Sequence, residues 1–137
     1  KALIILTDSA DKIDRYVDEV PDIAYELIDV AVKPLTIVYD NARNLAPETV
    51  ASDGSVGIRV TEEKVSKMLC RAFRKPLVST SANISGQPAP DIFSRISREI
   101  VESVDYVMSS RRDDTNESTP SSVIKLGVDG SVKILRK

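Results

Sequence analysis

The 137-residue sequence has no histidine, no tryptophan, two phenylalanines, five glycines and one cysteine, Cys70. Without histidine, Ser-His-Asp and Cys-His nucleophile systems are excluded, as is every His-ligated metal site in this chain. One cysteine excludes intrachain disulfides and Cys-cluster zinc sites, and Cys70 reads as a small packing residue beside the apolar face of a predicted helix. Long apolar runs are missing as well. The longest, near residues 2–6, is far too short to cross a bilayer, so a cytoplasmic setting with no membrane partner is expected. Charge of one sign does not dominate: 19 Lys and Arg stand against 21 Asp and Glu, a formal net charge of −2. That disfavours a generally basic nucleic-acid binder but leaves room for a local basic patch.

What is present, 42% hydrophobic and 29% charged residues, suits one packed domain. The apolar run over residues 2–7 predicts a buried strand. Residues 11–17 and 21–32 predict helices, the second with Pro21 in its first turn and Ile23, Leu27, Ile28 and Ala31 on one face. Strands are expected over 35–39, 56–60, 77–80, 106–108, 122–126 and 132–135, with Asp129-Gly130 marking a hairpin turn. Residues 41–54 read as a polar loop. Thr61 is placed as N-cap of a helix over 62–74 whose buried stripe would be Val65, Met68, Leu69, Ala72 and Phe73. A further helix is expected over 91–101, and 111–119 is a polar linker. The core candidates are Leu3, Ile5, Ile28, Ile37, Val56, Ile58, Leu69, Phe73, Val78, Ile96, Val123 and Ile134. Strands and helices mix without strict alternation, so the expected class is α/β with a mixed sheet.

Charge is unevenly placed. Residues 1–30 hold eight acidic and three basic side chains, and residues 59–75 hold six basic and two acidic ones. The acidic stretch reads as a solvated helical surface, and the basic one as either a solvated helix face or a local anion-facing patch. The most informative segment is K-P-L-V-S-T-S-A-N-I-S-G-Q-P-A-P over residues 75–90. Hydroxyl residues and a glycine at a strand's end leave donors free to surround an anion such as phosphate. The same composition also serves ordinary tight turns.

This segment resembles the S-A-N-x-S-G-x-P-x-P signature of the Sua5/YciO/YrdC family of threonylcarbamoyl-AMP synthases. K-P-L-T at 33–36 is similar to the family's G-P-L-T turn. S-V-G-I-R-V at 55–60 resembles its T-V-G-x-R-x-P strand, with Thr61 where proline is usual. S-S-V-I-K-L and V-K-I-L-R resemble its S-T-V-x-D-L and closing L-R. The resemblance spans nearly the whole chain in order. It implies a YrdC-like twisted mixed sheet with flanking helices, one domain over 1–137. The chain starts inside an apolar run without Met, and the family's T-x-T-x-Y-G-L and K-x-R motifs are not found. The domain is therefore expected to be incomplete at its N-terminus, to lack its first strands and to be inactive as this fragment.

The implied activity is that of a nucleotidyltransferase joining L-threonine, bicarbonate and ATP into threonylcarbamoyl-AMP for t6A modification of tRNA. Magnesium would arrive with the ATP. No protein nucleophile and no resident metal are implied. Arg59, Ser79 and Ser121 are implied threonine contacts. Ser55, Ser81, Asn83 and Arg136 are implied ATP contacts. Pro120 and Ala89 replace the family's usual glutamate and serine. The alternative, which these departures and Lys33 support, is a non-catalytic module binding tRNA, double-stranded RNA or the ribosome through a basic surface.

Overall fold

The computed structural model describes residues 2–137, which form two compact units: Ala2–Ser79 with Ser121–Lys137, and Thr80–Pro120. The first unit is built on six strands: β1 (Ile4–Thr7), β2 (Leu35–Tyr39), β3 (Val56–Val60), β4 (Leu77–Ser79), β5 (Ser122–Leu126) and β6 (Val132–Arg136). Their lateral order is β4-β1-β3-β2-β5-β6. β1 runs parallel to β3, and β2 parallel to β5, while the other three pairings are antiparallel. The mixed sheet expected from the sequence is therefore present. The central strands are rich in Ile, Val and Leu, whose branched side chains pack well on a pleated surface.

Alternation along each strand sends successive side chains to opposite faces. One face carries Ile5, Ile37, Tyr39, Val56, Ile58 and Leu126, all buried, and this is the core. Ile13 and Val17 cover it, together with Ala24, Leu27 and Ile28 from α1 (Asp22–Val30). Pro21 occupies the N-cap position of α1. The expected helix over 11–17 is a 3-10 helix, Ala10–Arg15, which still buries Ile13. Ala24 rather than Ile23 is the fully buried residue of α1, because the helix approaches the sheet through its smallest side chain. The loop over 41–54 contains a short 3-10 turn, Pro47–Thr49, and is tied back by backbone bonds from Ala42 to Gly54 and from Arg43 to Tyr16.

α2 (Lys64–Phe73) departs most from expectation. Its N-cap is Glu63, whose carboxylate accepts from the amides of Val65 (3.1 Å) and Ser66 (2.7 Å). A carboxylate there satisfies two orphan donors and complements the positive end of the helix dipole. Thr61 is instead buried and shares a 2.8 Å hydrogen bond with the Ser66 hydroxyl. Arg74 closes the helix in the left-handed region, with φ of 59°. The predicted stripe faces outward: Met68 and Phe73 are more than half exposed, and Leu69 nearly so. Cys70 is the buried residue, its Sγ donating to the Leu6 carbonyl at 3.6 Å. A helix lying this close to a strand admits a small side chain at the contact and turns large ones away. Val78 and Ile134 are exposed because β4 and β6 are the sheet's edges.

In the second unit, residues 106–108 form no strand. The expected helix over 91–101 is divided into a 3-10 turn, Phe93–Arg95, and α3 (Arg98–Ser103), capped by the Ser97 hydroxyl. Ile96 and Ser97 explain the break: both are extended, Ile96 closing the 3-10 turn and Ser97 capping the next helix. Arg95 joins Asp91 and Glu117, the Ser118 amide donates to the Asp91 carbonyl, and the Arg112 guanidinium lies 5.6 Å from the centre of the Phe93 ring.

Two ion pairs of one carboxylate tie the end of β1 to its neighbours. Asp8, with its side chain nearly buried, accepts from Lys12 at 2.8 Å, and Arg71 of α2 lies 3.8 Å away. The Lys12 hydrogen bond holds the Asp8 carboxyl below its usual range. Ionised Asp8 therefore stabilises the fold above pH ~4, and that contribution disappears as pH falls through the depressed folded-state value. Asp8→Asn is expected to lower stability near neutrality by about 0.5–1.5 kcal/mol. Urea unfolding at several pH values checks this: the gap to the parent should close below pH ~4, and a pH-independent gap would place the loss in packing instead.

Candidate anion-binding site

The other face of the sheet carries the candidate site. Registered pairing aligns Arg136 with Val123, Val123 with Thr36, and Leu6 with both Arg59 and Leu77. Thr36 and Arg59 stand one step along from the Ile37–Ile58 pair. One lateral row therefore runs Arg136, Val123, Thr36, Arg59, Leu6, Leu77 across all six strands. The adjacent row is Lys133, Lys125, Val38, Gly57, Ile4, Ser79. Two guanidiniums and two ammonium groups thus project from the same face, an arrangement suited to anions.

Arg136 reaches this face through an irregularity. Lys133 pairs with Lys125 and Ile134 with Ile124, so regular pairing would set Leu135 opposite Val123. Instead the register shifts there and Arg136 takes that place. One extra residue in an edge strand is a β-bulge, and it re-aims the following side chain. Arg136 is then held: Nε donates to the Ser121 carbonyl (2.9 Å) and Nη2 to the Ser121 hydroxyl (3.3 Å). Ser121 is buried and shares a 2.8 Å hydrogen bond with Thr36.

Arg59 is half-buried and forms no ion pair among the described residues. Burial, and then the charge of Arg136, make its protonated form less favourable than in water. Two like charges held near each other without a counter-charge favour an incoming anion, and a guanidinium presents its donors in the fork geometry of a carboxylate. Ser79 ends β4 on this same face, half-buried. Ser55, on the same parity as Gly57 and Arg59, spends its hydroxyl on Asp53 at 2.6 Å. That bond, with the Ser55 amide and Lys125, draws the Asp53 carboxyl down to about 2. Lys125 in turn lies 3.4 Å from Asp53 and 3.9 Å from Asp40.

Of the residues expected at the site, Arg59, Ser79, Ser121 and Arg136 share this face, and Ser55 continues it. Three contributors went unassigned from sequence: Thr36, Lys125 and Lys133. The K-P-L-T motif marks Thr36, while the two lysines carry no signal beyond strand alternation. A recess of about 400 Å³ lined by Ile5, Tyr16, Leu45, Phe73, Pro76 and Val78 shares no residue with the site, and Ile5 and Val78 belong to the sheet's other face.

Ser81 and Asn83 lie in the second unit, in the loop that follows β4. The Asn83 amide donates to the carbonyls of Ile84 (3.1 Å) and Gln87 (2.7 Å), and the Gln87 amide returns to Ile84 at 3.0 Å. Gly86, at φ of 86°, supplies the turn that a side chain would strain. Asn83 thus organises the loop backbone. Asn83→Ala is expected to speed hydrogen exchange at the Gln87 amide by about fivefold, the equivalent of roughly 1 kcal/mol of lost loop order. Exchange measured by NMR checks it, and an unchanged rate would show that the loop holds without Asn83.

Comparison with known proteins places these observations in a family. The model of the Sua5/YciO/YrdC family, described as "Telomere recombination", matches residues 1–137. The chain is 34% identical over 135 residues to a Methanocaldococcus jannaschii protein named provisionally as a threonylcarbamoyl-AMP synthase, covering 98% of this chain and 61% of that protein. It is 30% identical over 135 residues to the threonylcarbamoyl-AMP synthase of Pseudoalteromonas translucida, covering 96% of this chain and 71% of the relative. Among solved structures, E. coli YciO superposes with a TM-score of 0.81 at 17% identity, over 99% of this chain and 65% of that one. P. abyssi Sua5 complexed with L-threonine superposes at 0.73 and 23% identity, over 92% of this chain and 37% of that one. These two likenesses confirm the fold, a twisted mixed sheet with flanking helices. On its sequence match over the full 137 residues, the chain belongs to the Sua5/YciO/YrdC family.

Proposed function

We propose that this chain carries the threonine-binding surface, and part of the nucleotide-binding surface, of an L-threonylcarbamoyladenylate synthase acting in t6A modification of tRNA. The observation that carries this reading is the half-buried Arg59, without an ionic partner among the described residues, in one row with the tethered Arg136. The names of the relatives support it, as does the L-threonine bound to P. abyssi Sua5. The chain spans 61% of the M. jannaschii relative, and the reaction is proposed for the protein as a whole.

In this reading the threonine amine captures carbon dioxide with loss of a proton, or bicarbonate with loss of water, and a carbamate oxygen attacks the α-phosphorus of ATP, displacing pyrophosphate. The reaction needs no protein nucleophile, so positioning and neutralisation of phosphate charge supply the rate. Arg59 receives the threonine carboxylate, flanked by Ser79 and Ser121. Arg136 serves the nucleotide side, and Ser55, Ser81 and Asn83 are assigned nucleotide contacts from the signature alone. Magnesium enters as part of MgATP, held by phosphates and water.

A second reading, an RNA-binding module, draws on α2. Lys67 is paired with Glu62 and Arg71 approaches Asp8, while Lys64, Arg74 and Lys75 form no ion pair among the described residues. No helix among the described residues is long and apolar enough to cross a membrane. Three available cations predict only weak duplex-RNA binding, with log K falling against log salt at a slope of about −3. Filter binding across a salt series tests this, and nanomolar, salt-tolerant binding to one RNA would favour the module reading.

Arg59→Ala is expected to weaken L-threonine binding by about 1.5–3 kcal/mol, through loss of a charge-assisted pair. ATP binding should change much less. Calorimetric titration of both ligands decides it, and equal losses would overturn the assignment of Arg59 to the carboxylate.

A further inference from the structure

Thr36 and Ser121 are 1% and 3% exposed, stand 85 positions apart and join their hydroxyls at 2.8 Å. Each hydroxyl carries one proton, so the pair has two protons and one internal hydrogen bond. Ser121 Oγ also accepts from Arg136 Nη2 at 3.3 Å. If Ser121 donated to Thr36, the Thr36 proton would be left without an acceptor among the described residues, deep in the central strand of the sheet. A buried, unsatisfied donor is costly. With Thr36 donating instead, Ser121 Oγ accepts twice, from Thr36 and from Arg136, and the leftover proton is that of Ser121, which an anion bound beside the guanidinium can accept whereas nothing can reach that of Thr36. The position of Thr36 is itself set from the other side: Gly57, with no side chain, leaves room for the Thr36 methyl, and a Cβ there would stand 3.3 Å from it.

We propose that Thr36 is a positioning residue of the anion site. By donating to Ser121 Oγ it reserves the Ser121 proton for a bound carboxylate and steadies the hydroxyl on which Arg136 Nη2 rests. The proposal rests on the reading of this face as the L-threonine site. It adds a residue that touches no ligand and acts through Ser121 and Arg136.

The test is a double-mutant cycle on the 137-residue chain, with L-threonine as probe. Thr36→Val keeps the shape and removes the donor, and Thr36→Ser restores it. Thr36→Val is expected to weaken L-threonine binding five- to tenfold and to speed solvent exchange at Arg136 Nε–H. Thr36→Ser should stay within twofold of the parent on both readouts. In a Ser121→Ala background, Thr36→Val should cost nothing further in affinity, since its route is gone. A full loss persisting in that background, or a loss in Thr36→Ser equal to that in Thr36→Val, overturns the proposal. Failure of the parent chain to bind L-threonine would overturn the substrate reading and the carboxylate role with it. The hold on Arg136 would then stand or fall on its Nε–H exchange alone.

Discussion

The pairing of β2 with β3 on one side and β5 on the other is the constraint on which this protein depends. The Ile37–Ile58 and Ile37–Ile124 pairs lie at the middle of the sheet, and each neighbouring residue along these strands turns to the opposite face. A slip of one residue would move Ile37 and Ile58 out of the core and bring Thr36 and Arg59 into it. Core and site are thus specified by one register. Burying the apolar set against Ile13, Val17 and Ala24 is also what aims Arg59 at the site face.

The edges of the sheet obey a looser rule. β6 is exposed along its whole length, so its register is not protected by burial, and here a bulge occurs. The shift exchanges Leu135 for Arg136 opposite Val123 and converts an apolar position into a cationic one. Ser121 supplies what burial does not, a carbonyl and a hydroxyl that hold the guanidinium. Likewise Lys125, whose ammonium would otherwise add to the cationic face, is drawn toward Asp40 and Asp53. Lys125 is thus shared with two carboxylates, while Arg59 and Arg136 have no ionic partner among the described residues.

The strands are largely legible in the sequence because segments such as Leu35–Tyr39, Val56–Val60 and Ser122–Leu126 are rich in branched apolar residues and bounded by turn residues. The resemblance of Ser55–Arg59 and Ser121–Leu126 to family motifs located Arg59 and Ser121. Other features depend on tertiary contacts that no local pattern encodes. The stripe of α2 was periodic but faces away from the sheet, since Cys70 makes the contact with β1. The N-cap moved from Thr61 to Glu63 because Thr61 was claimed by Ser66. Thr36 escaped assignment since a threonine in a strand reads as ordinary β-former, and its partner lies on another strand's approach. Residues 106–108 are apolar enough for a strand but, among the described residues of their unit, have no strand to pair with.

The span of the Thr36–Ser121 contact has a kinetic meaning. Closing a chain segment of this length carries a loop entropy that one hydrogen bond does not offset and that the apolar β2–β5 pairing helps to meet. The polar link is worth too little to bring the strands together by itself, so it forms after their apolar pairing rather than guiding it. The Arg136 anchor inherits this order, because it rests on Ser121. Partly folded states that already bury Ile37 and Ile58 would still lack the anion site, and ligand capture would report completion of the last long-range pairing rather than collapse of the core.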